Sequence, residues 1–347
     1  MNKTILIPTL FASLLLAACQ PSDSSSNVPS GGSKVPSSSA HDDYQVKWVT
    51  PTGTPTLAFY DQGNNANWIS SDQPATDVVP SFATDNFDAI VFDGYAGLKN
   101  VMKNNRNYQL ARWISGGTFY LVSTKHTAED PFLPEYTIDA FVKTGNAAQS
   151  FLSLAKTAWN WGDIEENTTF ENGVADVRTN LLGADNYDYY LIAEPVLTAA
   201  KAALAGRETP VTLNVVYDLQ SEWAKAHDGA KIPAAGLFIN KTSYANHQWA
   251  MDQFLADTDL RIENAIDQSD LAYDALTAYE AKDTTANDDC QKRFGYAPGI
   301  VRSLQSNGKN HFGLIKDEEV ESLSSVASSF ASALGENIAF PSSLFLD

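Results

Sequence analysis

The sequence predicts an α/β protein made of two successive α/β units closed by a helical tail. Three observations carry this. From residue 45 onward, strand-like apolar runs alternate with helical periodicities; the alternation lapses and restarts near Ile138; and beyond Tyr244 only helical patterns remain. Such alternation implies a mostly parallel sheet covered by helices on both faces. The chain has 347 residues, 44% of them apolar and 11% aromatic, an ordinary globular composition. The roughly 300 residues that follow a polar N-terminal stretch are too many for one small core and suit two domains.

In the first unit, Gln45 to Val49 alternates and stops at Pro51-Thr52-Gly53-Thr54-Pro55, a strand followed by a sharp turn. Thr54 can cap a helix with Pro55 at its first position, running through Thr56 to Tyr60. Trp68 to Ser70 reads as a short strand, Ala75 to Thr84 as a helix, and Phe87 to Phe92 as a buried strand stopping at Asp93-Gly94. Ala96 to Lys103 is helical, and Gln109 to Ser123 forms strands broken at Gly116-Gly117.

The second unit opens with a strand at Ile138 to Val142, a turn at Gly145-Asn146 and a helix from Ala147 to Trp159. It continues as a helix (Val174 to Leu182), a strand (Tyr187 to Ala193) ending at Glu194-Pro195, and a helix (Val196 to Ala205). A strand (Thr212 to Leu219), a helix (Gln220 to Ala226) and a strand (Ala235 to Asn240) complete it. The tail is read as helices at Tyr244 to Ala256, Leu260 to Ala281 and Asp317 to Leu334.

The first 43 residues have a different character. Lys3 precedes the apolar stretch Ile5 to Leu16, which is too short for a bilayer needing about 20 apolar residues. It ends in Leu16-Ala17-Ala18-Cys19, small residues suited to a signal peptidase. This run resembles the bacterial lipobox, which implies a signal peptide over 1–18 and a lipidated Cys19. The stretch 19–43 is rich in Ser, Pro and Gly, cannot offset its ordering entropy, and is expected to be a disordered tether. Its typical reach as a flexible coil is roughly 25–30 Å. The expected location is therefore extracytoplasmic, at the membrane through the lipid alone.

The formal net charge is −19, which excludes the basic footprint that nucleic-acid binding requires. With Cys19 lipidated, Cys290 is left without a disulfide partner, and its polar surroundings suggest a passive surface thiol. There is no Gly-x-Ser-x-Gly, no His-Glu-x-x-His and no phosphate loop, and the five histidines are scattered. No catalytic residue, metal or cofactor is therefore assigned. Asp85, Asp88 and Asp93 could form an acid–base pair, but Asp85 and Asp88 more simply flank a strand, with Asp93 at the pocket or capping the next helix.

Several segments together resemble the nitrate/sulfonate/thiamine-precursor group of ABC-transporter substrate-binding proteins, of the type II periplasmic-binding-protein fold. They are Thr52-Gly53-Thr54-Pro55 after the first strand, Phe87 to Tyr95 opening a pocket-facing loop, and Gly117 to Val122. Asp188 to Pro195 and Asp218 to Trp223 follow, then Ile232-Pro233 and Gly236 to Asn240. Their order and spacing carry the resemblance, from about Val46 to Ala281. It implies two lobes, 44–125 plus 242–347 and 126–241, joined by two crossover strands near Leu121-Val122 and Leu237-Phe238. A small organic solute would be held between them and delivered by a monomeric receptor to an ABC permease and its ATPase.

The candidate ligand contacts are Thr52, Gly53, Thr54, Pro55, Asp93, Gly94, Tyr95, Trp113, Gly117, Gly145, Asn146, Ala147, Glu194 and Tyr217. Ligands of open α/β sheets lie beyond the C-terminal ends of strands, where helix N-termini offer unpaired N–H groups. Two such ends are Gly53-Thr54-Pro55-Thr56 and Gly145-Asn146-Ala147-Ala148, where Thr54 and Asn146 can donate side-chain hydrogen bonds. Plain capping without a ligand is the alternative at each. Relatives usually place Ser or Thr after the second glycine, whereas this chain has Asn146, and Asp93 at the cleft would favour an amine or ring N–H over an anion. Of Tyr60, Tyr95, Trp113 and Tyr217, about two are expected to stack on a planar or heterocyclic ligand, the rest packing in the core. An extracytoplasmic enzyme on the same fold, or a lipoprotein binding a macromolecule, are the other function classes.

Overall fold

A computed structural model of the chain describes residues 43–183, 186–282 and 290–346. The signal segment, Cys19 and the tether up to residue 42 lie outside the described residues. Among the described residues no helix is long and apolar enough to cross a membrane.

The described strands, in chain order, are β1 (Trp48–Pro51), β2 (Trp68–Ser71), β3 (Ala89–Asp93), β4 (Tyr108–Trp113) and β5 (Phe119–Ser123). They continue as β6 (Ile138–Phe141), β7 (Thr168–Glu171), β8 (Tyr189–Ala193), β9 (Asn214–Asp218) and β10 (Ala235–Asn240). They form two five-stranded sheets, β2-β1-β3-β10-β4 and β7-β6-β8-β5-β9. In the first, Trp48 pairs in parallel with Trp68 and Ala89, while β10 runs antiparallel to β3 and β4. In the second, Ile138 pairs in parallel with Thr168 and Tyr189, while β5 runs antiparallel to β8 and β9. Each antiparallel strand is the one that arrives from the other sheet, so the expected mostly parallel sheets hold with one reversed strand apiece.

This corrects the lobe limits. β5 belongs wholly to the second sheet and β10 wholly to the first, so the chain crosses earlier than Leu121-Val122 and Leu237-Phe238. The crossings are paired: Ser115 O accepts from Ala234 N at 2.8 Å, and Ile232 O from Gly117 N at 2.9 Å. A third segment joins them, with Gly313 O accepting from Gly116 N at 2.8 Å. Glycine is required there: a Cβ on Gly313 would stand 2.2 Å from Gly116 O, and Gly313 has φ +62.

Strand ends and helix starts coincide. Asp93, Asp218 and Asn240, each the last residue of its strand, accept hydrogen bonds from N–H groups of the next helix's first turn. The expected single helix at Ala75 to Thr84 is two short ones, Pro74–Asp77 and Ser81–Thr84, because Pro80 lacks the N–H to continue. The break expected between Ala256 and Leu260 does not occur: one helix runs Gln248–Asp267, and the chain breaks instead at His247, after the helix Lys241–Asn246, and at Gln268, before Ser269–Glu280. The short polar strand β7 and the helices Cys290–Phe294 and Pro298–Gln305 are not among the expected elements, although Pro298–Gln305 begins with a proline and buries Val301 and Leu304 on one face.

Four apolar clusters cover the sheet faces. Beneath the first sheet, Trp48, Phe59, Trp68 and Phe254 pack ring on ring. Cys290 is fully buried in the same cluster, not at the surface, because it lies in the helix Cys290–Phe294, whose Phe294 packs edge-on against Trp68. The tail does not complete the first lobe alone. In the helix Leu323–Ala333, Ala327 joins the first lobe's core, whereas Phe330 and Ala331 join the second lobe's, so this helix straddles both.

Candidate functional site

A cleft lies between the C-terminal ends of the two sheets. It comprises two adjoining cavities of about 150 and 170 Å³, which share Pro51, Thr52, Phe92, Asp93, Phe141, Val174 and Ala193. Pro51 ends β1, Phe92 and Asp93 end β3, and Phe141 ends β6, the positions where open α/β sheets gather ligands.

The walls are mainly apolar, with Phe92, Phe119 and Phe141 contributing three rings. Two acids are set among them. Asp93 Oδ1 accepts from Ala96 N at 2.9 Å, capping the helix Gly94–Asn104 of its own lobe. Its Oδ2 accepts from Asn146 N at 2.6 Å, at the start of the helix Asn146–Thr157 of the opposite lobe. Burial pushes the Asp93 carboxyl up to about 7, against the lowering effect of those N–H groups and of Lys99. Glu194, only 7% exposed, accepts from Thr198 N at 3.0 Å and Thr198 Oγ1 at 2.9 Å. Burial raises its pKa too, partly countered by Thr198, Lys201 and His311.

Of the sequence-predicted contacts, Thr52, Gly53, Thr54, Pro55, Asp93, Ala147 and Glu194 line the first cavity, and Gly145 lines the second. The two side chains expected to offer hydrogen bonds are already engaged within the protein. Thr54 Oγ1 donates across the cleft to Glu194 O at 3.0 Å, so Thr54 bridges the lobes and does not cap its helix. Asn146 is buried, and its Nδ2 donates to Pro233 O in the second crossing. Thr54→Val keeps the shape and removes one hydrogen bond worth about 1 kcal/mol. We expect the open form to gain several-fold in population, read as a larger radius of gyration in solution scattering; an unchanged radius would leave the Thr54 bond no part in closure.

Six predicted contacts line neither cavity: Asn146, held by Pro233 O, and the five that follow. Gly94 starts a helix against Trp113, where a Cβ would stand 2.1 Å from Cζ3. Trp113 is 2% exposed and donates from Nε1 to Leu323 O at 3.2 Å. Tyr95 points behind the cleft, donating to Glu336 at 2.6 Å and packing edge-on against Phe330. Gly117, with φ +69, leaves room for Gln220, which accepts from Ile232 N and so secures the crossing. Tyr217 stacks on Trp159 at 4.2 Å. Tyr60 is also core, so none of the four aromatics expected near the ligand lines either cavity. The rings that do were missed: Phe92 and Phe141 lie beside or at a strand end, and Phe119 and Thr118 follow the Gly116-Gly117 break, signals that were present.

Asp88 is structural, accepting from Tyr44, Ser243 and Lys47 N, and Asp85 accepts from Asn240, so neither pairs with Asp93 for acid–base work. Among the described residues no group of three His, Cys, Asp or Glu is placed to hold a metal ion.

No family model and no curated protein matches the chain. Solved structures do. The ligand-binding component of an ABC-type import system from Staphylococcus aureus, with zinc bound, superposes with a TM-score of 0.63 at 9% identity, covering 87% of this chain and 96% of that one. The periplasmic aliphatic sulphonate-binding protein of Escherichia coli gives 0.56 at 10% identity, over 84% of this chain and 91% of that one. An ABC transporter protein from Parabacteroides distasonis gives 0.55 at 14% identity, over 87% and 98%. Two sheets, each with one strand reversed by a crossover and a cleft between their C-terminal ends, together with these superpositions, give the chain the two-lobed type II periplasmic-binding-protein fold.

Proposed function

We propose that this protein is a lipid-anchored, extracytoplasmic receptor that captures a small organic solute between its lobes and delivers it to an ABC importer. The observation that carries the reading is the cleft itself: ring-sized cavities at strand ends, bridged by Thr54 and Asp93 and flanked by paired crossings. Ligand bridging both lobes stabilises the closed form, and a permease that reads this form receives the solute unchanged, with energy from its ATPase. Lipid on Cys19 and the tether would keep a mobile receptor beside that permease. The solute contacts we assign are Thr52, Gly53, Thr54, Pro55, Asp93, Gly145, Ala147 and Glu194.

The test is a thermal-shift screen of the full chain in detergent against amines, pyrimidines, vitamins and sulfonates. A true ligand at a hundred times its Kd stabilises by about 2.7 kcal/mol, several degrees in Tm. Silence across the whole panel would sink the receptor reading. Turnover of a panel compound would instead assign acid–base work to Asp93 and Glu194.

A further inference from the structure

Resting on the receptor reading, we infer that the cleft selects a small organic cation, a ring-sized amine, amidine or protonated N-heterocycle, and rejects anions. The N-terminus of a long helix is where an anion would normally be held. Here that place is filled by the protein's own carboxylate: Asp93 Oδ2 accepts from Asn146 N at 2.6 Å and lies 3.3 Å from where a Cβ on Gly145 would be. An incoming sulfonate or carboxylate would have to displace Asp93 and then sit beside it.

The remaining electrostatics point the same way. No Lys, Arg or His is among the residues lining the two cavities, while Asp93 and Glu194 are, with Asp72 at the rim. Arg178 and Lys292 stand at the outer mouth with Asp72 and Asp77, and Lys99, Lys201 and His311 act on the two acids from outside the cavity walls. An ionised carboxylate has about four acceptor sites, so Asp93 and Glu194 keep capacity for N–H donors beyond the bonds they already accept. A net charge of −19 steers cations toward the molecule.

Size and walls define the rest of the ligand. A cavity of about 150 Å³ accommodates a benzene-sized ring. Phe92, Phe119 and Phe141 offer apolar faces to that ring and π-faces to its charge. The cation also competes with a proton. Burial holds the Asp93 carboxyl up to about 7, Lys99 being the charged group that opposes it. A bound cation favours the ionised form, so affinity rises with pH through that range. Glu194, with Lys201 and His311 as its charged neighbours, contributes in the same sense.

The experiment is calorimetry on the full chain in detergent with three probes of one shape: benzamidinium, benzyl alcohol and benzenesulfonate. We expect benzamidinium to bind at least tenfold tighter than benzyl alcohol, benzenesulfonate not to bind measurably, and benzamidinium to weaken several-fold from pH 8 to pH 6. Asp93→Asn retains a capping side chain, and should cut the preference for the cation by tenfold and flatten its pH dependence; Glu194→Gln is the second variant should the first misfold. Benzenesulfonate binding as tightly as benzamidinium would overturn the cation class and leave the receptor reading standing. No binding by any of the three also overturns it, and the receptor reading falls as well only if the broad screen is silent. Unchanged selectivity in a folded Asp93→Asn protein would remove Asp93 from recognition.

Discussion

Trp113→Ala is expected to lower the unfolding free energy by about 3–5 kcal/mol, the range for emptying a buried large aromatic site. Trp113 is 2% exposed, and its indole joins two elements far apart in sequence: its edge packs against Gly94, and its Nε1 donates to Leu323 O at 3.2 Å at the start of the helix that straddles both lobes. Gly94→Ala is expected to be damaging from the other side, by about 1–3 kcal/mol or more from overpacking, since its Cβ would stand 2.1 Å from Trp113 Cζ3. The double variant separates this account from a general weakness of the lobe. With the indole gone, the alanine methyl at position 94 has space, so the two losses should sum to less than their separate values by more than about 0.5 kcal/mol. Urea unfolding followed by circular dichroism measures all three; strict additivity would show that the two residues do not compete for one volume.

The second large effect is a stability that falls as pH rises. Asp93 is held up to about 7 and Asp139 up to about 6, both chiefly by burial. Asp139 is fully buried in β6 and accepts from Asn180 Nδ2 at 2.9 Å, with Glu171 and Asp176 nearby raising it further. In the unfolded chain both groups titrate near 4. Between about pH 4 and 7 the folded protein therefore binds more protons than the unfolded chain, and its stability declines across that window. Their contribution is fully present below pH 4 and lost as pH climbs through 6 and 7. The exposed Asp130 and the partly buried Asp188 act in the opposite sense, their pKa values lowered, with stability lost only at acid pH. Asp93→Asn and Asp139→Asn should each gain in Tm over the parent as pH rises from 5 to 8. Curves that stay parallel to the parent's would mean neither carboxyl is desolvated as its position indicates.

Much of the fold was legible because it rests on local patterns. The restart at Ile138, the break at Gly116-Gly117 and the all-helical tail follow from periodicity and glycine placement, and each has its counterpart in the two sheets and the crossing. The helices Val174–Leu182 and Val196–Ala205 and the strand Ala235–Asn240 match residue for residue. The exact crossing points were not legible, because a strand's run of apolar residues does not say which sheet accepts its hydrogen bonds. Leu121 and Leu237 are equally apolar, yet one pairs with Leu191 in the second sheet and the other with Val91 in the first.

The sequence alone therefore determined the α/β class, the two-unit order and the backbone loops that meet at the cleft: Thr52 to Pro55, Asp93, Gly145 and Glu194. These depend on strand ends, turn residues and helix starts, which are short-range properties. Folding in three dimensions decided what those residues do. Asp93 finds its second hydrogen-bond partner 53 residues away at Asn146, and Thr54 its acceptor 140 residues away at Glu194. It likewise turned Tyr95 and Trp113 toward the straddling helix and away from the cleft, leaving Phe92, Phe119 and Phe141 to form the walls. The physical reason is that a side chain's direction at a strand end or first helical turn is set by whatever packs against it, and those neighbours come from distant parts of the chain.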